Sequence, residues 1–173
     1  MPHLVLPDPK YKQSFIAAVV EYQAEQLPNY VKLDLATLNE DFSAYTNKLK
    51  SESNGEGLPE GYVPHTVFWL VEGDEYLGRV DIRHALTSQL EKLGGHIGYD
   101  IRPSKRRQGL GKLALKLGLE KAKTLGLKQV LITCDVDNFG SNKIIQANGG
   151  MFQSTEESPD GETKKNRYWI SVK

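Results

Sequence analysis

The sequence predicts a mixed α/β fold, an open sheet of six or seven mostly antiparallel strands flanked by about four helices. Three observations carry that expectation. Helical patterning fills the first fifty positions, two hairpin patterns frame the second half, and a strand, a basic glycine loop and a helix follow one another between Gly95 and Gly126. One domain of 173 residues is expected, with residues 1–65 on one side of a core formed by 66–173.

His3 to Leu6 reads as a short strand closed by Pro7 and Pro9. A helix is expected from Lys10 to Leu27, with Phe15, Ile16, Val19 and Val20 inward. A second should run from Leu35 to Lys50, capped by Asp34, with Leu35, Leu38, Phe42, Tyr45 and Leu49 in one apolar stripe. Phe42 reads as core; Tyr22, Tyr30 and Tyr45 could pack there or line a pocket. The Gly- and Pro-rich run 51–64 reads as a long loop. Thr66 to Glu72 and Tyr76 to Leu86 form a hairpin around Gly73-Asp74. On its second strand Arg79, Asp81 and Arg83 share a face, either solvated or in mutual salt bridges, or else lining a polar substrate groove.

The central unit alternates Ile97, Tyr99 and Ile101 with His96, Gly98, Asp100 and Arg102, a two-residue period that Pro103 ends. From Leu110 the period becomes helical, with Leu110, Leu113, Ala114 and Leu117 on one face and Gly126 at the C-terminal cap. A helix start leaves its first N–H groups unpaired and electropositive. Gly109 and Gly111 keep side chains away from those donors, while Arg102, Lys105, Arg106 and Arg107 add charge, so the loop suits a phosphate-bearing ligand. Val130 to Cys134 is the next strand, a helix follows Asn138, and Met151 to Thr155 with Asn166 to Val172 close the chain as a hairpin.

Lys+Arg and Asp+Glu are both 22, so no global field points to nucleic acid or an anionic membrane. The single cysteine, Cys134, excludes an internal disulfide, reads as a packed thiol and suits a reducing cytosol, and a cytoplasmic location is expected. No signal-peptide or membrane-spanning pattern is present in the sequence. Two phosphate motifs fit poorly. Gly109-x-Gly111-x-x-Ala114 has the loose dinucleotide spacing, but seven residues part it from its strand; Gly111-Lys112 lacks the Ser or Thr of a P-loop.

Arg106-Arg107-Gln108-Gly109-Leu110-Gly111 resembles the acyl-coenzyme A pyrophosphate loop of the GNAT superfamily of N-acetyltransferases. Asn138-Phe139-Gly140-Ser141, in a helix closing on Gly149-Gly150, is similar to the second half of that family's signature. The resemblance covers about residues 66 to 172 and implies transfer of an acetyl group from acetyl-CoA to a primary amine on a small molecule or peptide, without a metal. It implies that backbone N–H groups from Gln108 to Lys112, with Arg106 and Arg107, hold the pyrophosphate. The pantetheine would pair along the strand edge at Tyr99 and Ile101, in a slot where this strand and Val130 to Cys134 part. Arg102, Leu110, Asn138, Ser141 and Lys143 complete the expected coenzyme contacts, although Asn138 could order the loop and Ser141 could cap the helix.

The residues themselves leave the acid–base pair open. Asp100 or His96 could take the amine proton, directly or through water. Equally, Asp100 could pair with Arg79, Arg83 or Arg102, and His96 could be a satisfied core group. The family tyrosine that protonates the leaving thiolate falls at Ile145, so Tyr99 or water would replace it. That departure keeps a non-catalytic acyl-CoA sensor as the alternative. The resemblance also allows a homodimer through the final strands, and the loop 51–64 is expected to shape the acceptor pocket.

Overall fold

The computed structural model describes residues 1–172. Its strands are β1 (His3–Val5), β2 (His65–Glu72), β3 (Glu75–Arg83), β4 (Ile97–Ile101), β5 (Gln129–Asp135), β6 (Met151–Glu157) and β7 (Lys164–Ser171). Its α-helices are α1 (Lys12–Ala24), α2 (Leu35–Glu40), α3 (Phe42–Ser51), α4 (Leu110–Thr124) and α5 (Phe139–Ala147). The strands form two antiparallel sheets, ordered β1-β2-β3-β4 and β5-β7-β6.

The two sheets meet at one place. Gly95 forms an isolated antiparallel bridge with Ile132, and beyond it β4 and β5 part company. Gly95 has φ +71°, and a Cβ there would lie 2.6 Å from the Leu131 carbonyl oxygen. Only glycine lets the strands approach so closely at this point. The slot expected between these strands is therefore present, opening from a glycine hinge.

Alternation along β2 and β3 sorts two cores onto opposite faces of the first sheet. Val80, Ile82, Ile97 and Ile101 face α4 and join Leu115, Val130, Ile132 and Ile145. Val67, Trp69, Val71 and Tyr76 face the other way, against Phe15, Val19, Tyr22 and Phe42. Phe15 stacks on Trp69 with ring centroids 4.7 Å apart, which ties α1 to β2.

Several local expectations change. The helix foreseen over Leu35–Lys50 is two helices, giving five in all. The chain leaves helical geometry at Asp41 (φ −135°, ψ 77°), whose carboxylate accepts the Ala44 N–H 2.9 Å away and so caps α3. Val20 points outward, half exposed, and Tyr22, one turn after buried Val19, takes an inward place. On α4 the buried strip is Ala114, Leu115, Gly118 and Ala122, with Leu113 turned aside. Small residues set that strip because α4 lies close on the sheet: a Cβ on Gly118 would come within 2.9 Å of Val80. Strand β3 ends at Arg83 rather than Leu86, and a π-helical turn, Leu90–Gly94, leads into β4. The run 51–64 begins with the last turn of α3 and a 3₁₀ turn, Glu52–Asn54, before it becomes irregular. Gly126 caps α4 with φ +86°, as expected, and Cys134 is a buried free thiol.

Candidate active site

Where β4 ends, Pro103–Lys105 makes a 3₁₀ turn and the chain enters α4 through Arg107 (φ +64°) and Gly109 (φ +78°). Left-handed residues alternating with ordinary ones turn successive N–H groups to one side, a concavity for anions. Among the described residues, no acceptor is present for the backbone N–H groups of residues 107–112. These groups open onto a cleft of about 650 Å³ lined by Tyr99, Asp100, Ile101, Gly109, Gly111 and Ser141, among others. The two loop glycines have different reasons. Gly109 answers a backbone angle with open space around it, whereas a Cβ on Gly111 would lie 2.9 Å from Ile144 of α5.

Cationic side chains divide into two groups. Arg107, Lys112 and Lys143 line the cleft and have no ion-pair partner among the described residues. Arg106 also lines it, but is held in place, its Nε donating to the Ile101 carbonyl at 3.0 Å and its Nη1 lying 2.7 Å from Glu25. Arg102 is not in the cleft. Its guanidinium lies 2.7 Å from Glu21, so its charge is spent anchoring α1 beside β4. Gln108 contributes its backbone N–H while its side chain is exposed.

The edge of β4 is equally specific. Main-chain bonds to β3 fall at residues 96 and 102, where His96 O accepts the Arg83 N–H and Arg102 N–H donates to Leu77 O. By antiparallel alternation, the N–H groups of Tyr99 and Ile101 then point away from β3 into the slot. Across the slot, Asn138 caps α5 by accepting the Ser141 N–H at 3.0 Å. That leaves the Ser141 hydroxyl free of capping, and it pairs with the Tyr99 hydroxyl at 2.8 Å. Burial pushes the Tyr99 phenol up to about 12, with the Ser141 bond pulling the other way.

Asp100 and His96 separate. The Asp100 carboxylate accepts a hydrogen bond from Tyr30 at 2.8 Å and borders the cleft, and none of Arg79, Arg83 or Arg102 pairs with it. Burial raises its pKa; Arg79, Tyr22, Tyr30 and Arg106 act against that rise. Tyr22 and Tyr30 do not line a pocket. They stack with centroids 3.9 Å apart and form the wall behind Asp100, while Tyr45 flanks a separate shallow cleft between α2 and α3.

His96 is 8% exposed and sits at the sheet hinge instead of in the cleft. Its backbone N–H donates to Leu131 O at 2.7 Å, and its Nδ1 accepts the Leu131 N–H at 2.9 Å. Its proton therefore sits on Nε2. Burial, then Arg83, lowers its pKa, while Glu91 opposes. Replacing His96 with Ala leaves the Leu131 N–H unpaired and should cost about 1–3 kcal/mol, read as a lower thermal midpoint. Because the unfolded state takes up the proton more readily, the wild-type contribution is present above the ordinary histidine pKa, about 6.5, and is lost as pH falls through it and the depressed folded value. A midpoint difference between wild type and variant that does not shrink on acidification counts against this role.

A second cavity of about 410 Å³ lies on the opposite face of the first sheet. Arg79, Asp81 and Arg83 of β3 and His65 of β2 line it, together with Tyr62 and Val63 from the end of the 51–64 run. Arg79 and Asp81 pair at 2.7 Å, so a mutual salt bridge is present on that charged face, which also lines the cavity. Sequence reasoning missed Asn142, which is buried and fully bonded. It donates to the Asp135 and Asn138 carbonyls and accepts from Tyr168 and Asn166, fixing α5 against β5 and β7. Its one signal was a polar residue beside apolar Ile145 on the inner side of a short helix. Ile145 itself is fully buried in the core and is absent from the lining of the cleft, which its neighbour Ile144 reaches.

Parted sheets, an unpaired strand edge and an anion-binding helix start together define an acyltransferase fold. A family model described as an acetyltransferase (GNAT) domain matches residues 15–151, and the chain belongs to this family. Solved structures agree in fold. A Salmonella typhimurium acetyltransferase described as modifying the N-terminal serine of ribosomal protein L7/L12 has a TM-score of 0.69 at 17% identity, covering 99% of this chain and 95% of that one. Microcin C7 self-immunity acetyltransferase MccE, solved with acetyl-CoA and AMP, gives 0.70 at 16% identity over 99% and 92%. Mycobacterium smegmatis RimJ, solved with a CoA-disulfide, gives 0.70 at 16% over 98% and 81%. No curated protein matches the sequence significantly. Among the described residues no group of three His, Cys, Asp or Glu is placed to hold a metal, and no helix is long and apolar enough to cross a membrane.

Proposed function

We propose that this acetyltransferase moves an acetyl group from acetyl-CoA to a primary amine by direct attack in a ternary complex. The observation that carries the proposal is the row of unpaired N–H groups at residues 107–112 beside the free edge of β4. Such a row fits a diphosphate, and Arg107, Lys112 and Lys143 supply its countercharge. Coenzyme A supplies the acetyl group as a thioester. The Tyr99 and Ile101 edge holds the pantetheine amides as an added strand, and one of its N–H groups polarises the thioester carbonyl. A donor of this kind is worth about 3–4 kcal/mol in acyl transfer.

The acceptor enters from the opposite face, through the cavity over Arg79, Asp81 and Arg83. Residues 1–65 contribute Asn29 and the stretch 61–65 to that cavity, beside residues of β3, while most of the coenzyme side comes from residues after 65. Asp100 stands between the two, directly across from Arg79 in the β3–β4 register, and takes the amine proton. Gly98, opposite Asp81, has nothing within 4 Å of where a Cβ would lie, so no side chain fills the space beside Asp81 on β4. Tyr99 donates a hydrogen bond to the departing thiolate. A phenol pushed up to about 12 is a weak acid toward a thiolate with a pKa near 8.5, so Tyr99 stabilises the leaving group and water delivers the proton.

Amine-dependent thiol release from acetyl-CoA, measured over a panel of amines, tests this reading. Release that saturates in both substrates supports it, and shortening residues 57–62 should alter the KM for the amine more than that for acetyl-CoA. Coenzyme binding without release across the whole panel would overturn it in favour of a sensor.

A further inference from the structure

The cavity over β3 is electrically polarised along its length. At one end Arg79 is neutralised by Asp81, and the second oxygen of Asp81, Oδ1, is buried with no hydrogen-bond partner. Asp100 adds a carboxylate across the strand pair at this same end. At the other end Arg83 has only backbone partners, its Nη1 lying 3.0 Å from Gly95 O and 3.5 Å from Gly94 O. No carboxylate lies within ion-pair distance of Arg83 among the described residues. His65, which also lines the cavity, lies 3.2 Å from Glu52.

We propose that the acceptor is a primary amine that also carries a carboxylate, and that Arg83 is the residue that binds it. This rests on the acceptor site assigned above. The carboxylate end of such a molecule is attracted to Arg83 and repelled by Asp81 and Asp100, while its amine end experiences the reverse. The Nη1 of Arg83 is held by the two carbonyls, and its remaining Nε–Nη2 edge suits a carboxylate bidentately, which a lysine would not reproduce. Asp100, which takes the amine proton, lies opposite Arg79, four residues from Arg83 on β3, so it and Arg83 are separated by about 13 Å of strand. The reacting nitrogen and the carboxylate are accordingly several bonds apart, which describes an ω-amino acid or a short acidic peptide better than an α-amino acid. The charge pattern selects against diamines, whose far ammonium would meet Arg83.

The test uses ω-amino acids of increasing chain length, each paired with the α,ω-diamine of the same length and with its own methyl ester. For the wild-type protein, kcat/KM should favour the acid over the diamine by about tenfold or more at an intermediate length, the size expected for a charge-assisted bond. The methyl ester should lose that advantage, a comparison that needs no variant. In Arg83→Gln the acid-to-diamine ratio should fall to about one, and Arg83→Lys should lie between. Equal use of acid, ester and diamine at every length, or an Arg83→Gln ratio equal to wild type, overturns the proposal while leaving acetyl transfer intact. If no amine is turned over, the reaction assignment fails, and calorimetric titration of the same ω-amino acids decides this proposal separately. Binding that depends on Arg83 sustains it; binding equal in wild type and Arg83→Gln overturns it.

Discussion

Asp100→Asn should lower kcat/KM for acetyl transfer by roughly 10²–10⁴, the span ordinarily lost with a general base. The substitution keeps the side chain's volume, and its amide oxygen can still accept the Tyr30 hydroxyl that bonds Asp100 at 2.8 Å. What it removes is the proton acceptor. The active form of the base is the carboxylate, so wild-type kcat/KM should rise with pH through the Asp100 pKa. Burial places that pKa above the ordinary carboxylate range, with Arg79, Tyr22, Tyr30 and Arg106 restraining the rise. The acid limb should thus lie above the reference value near 3.9 and vanish in the variant. Stability moves in the opposite sense. A folded pKa above the unfolded one gives a contribution present below the unfolded value and lost as pH rises through the folded value. At neutral pH the charged carboxylate is then a cost, and Asp100→Asn should melt no lower than wild type. A variant with kcat/KM within about threefold of wild type would remove Asp100 from the role proposed for it.

Gly111→Glu should weaken acetyl-CoA and coenzyme A binding by a hundredfold or more, because like charges brought together cost several kcal/mol. Gly111 lines the cleft in the first turn of α4, where a carboxylate would project against the diphosphate. The fold should survive. A Cβ there meets only the Cδ1 end of Ile144 at 2.9 Å, a contact that a rotation of that side chain relieves, and glutamate is a better helix former than glycine. Gly111→Ala separates the two effects, since it adds the Cβ without the charge and should bind with an intermediate affinity. Calorimetric titration with circular dichroism on the same samples reads both. Normal coenzyme affinity in a folded Gly111→Glu protein would mean that the diphosphate lies elsewhere.

The two variants probe parts of the site that differed in how far they could be foreseen. Around Gly111 the expectation was nearly complete, because strand, loop and helix start are contiguous and their unpaired N–H groups follow from helix geometry alone. The loop's arginines were harder. Arg102 and Arg106 are four residues apart and equally basic, yet one is tied to Glu21, 81 positions earlier in the chain, and the other stays at the cleft rim beside Glu25. Nothing local distinguishes them. Asp100 and His96 illustrate the same limit, since both lie on one face by alternation. The glycine hinge at Gly95 draws His96 onto Leu131 of the neighbouring sheet and leaves Asp100 against Tyr30.

By itself, then, the amino-acid order determined most of the elements and the glycine loop whose unpaired N–H groups open onto the cleft. Those depend on backbone angles and hydrogen bonds closed within some ten residues, with glycines where the chain must bend or come close. Tertiary structure alone decided which charges are neutralised and which stay free: Arg102 against Glu21, Arg79 against Asp81, Arg83 left with two carbonyls, Asp100 buried behind stacked tyrosines. A side chain's charge is written in the sequence, but its desolvation and its partner come from segments that meet only when the sheets and helices pack.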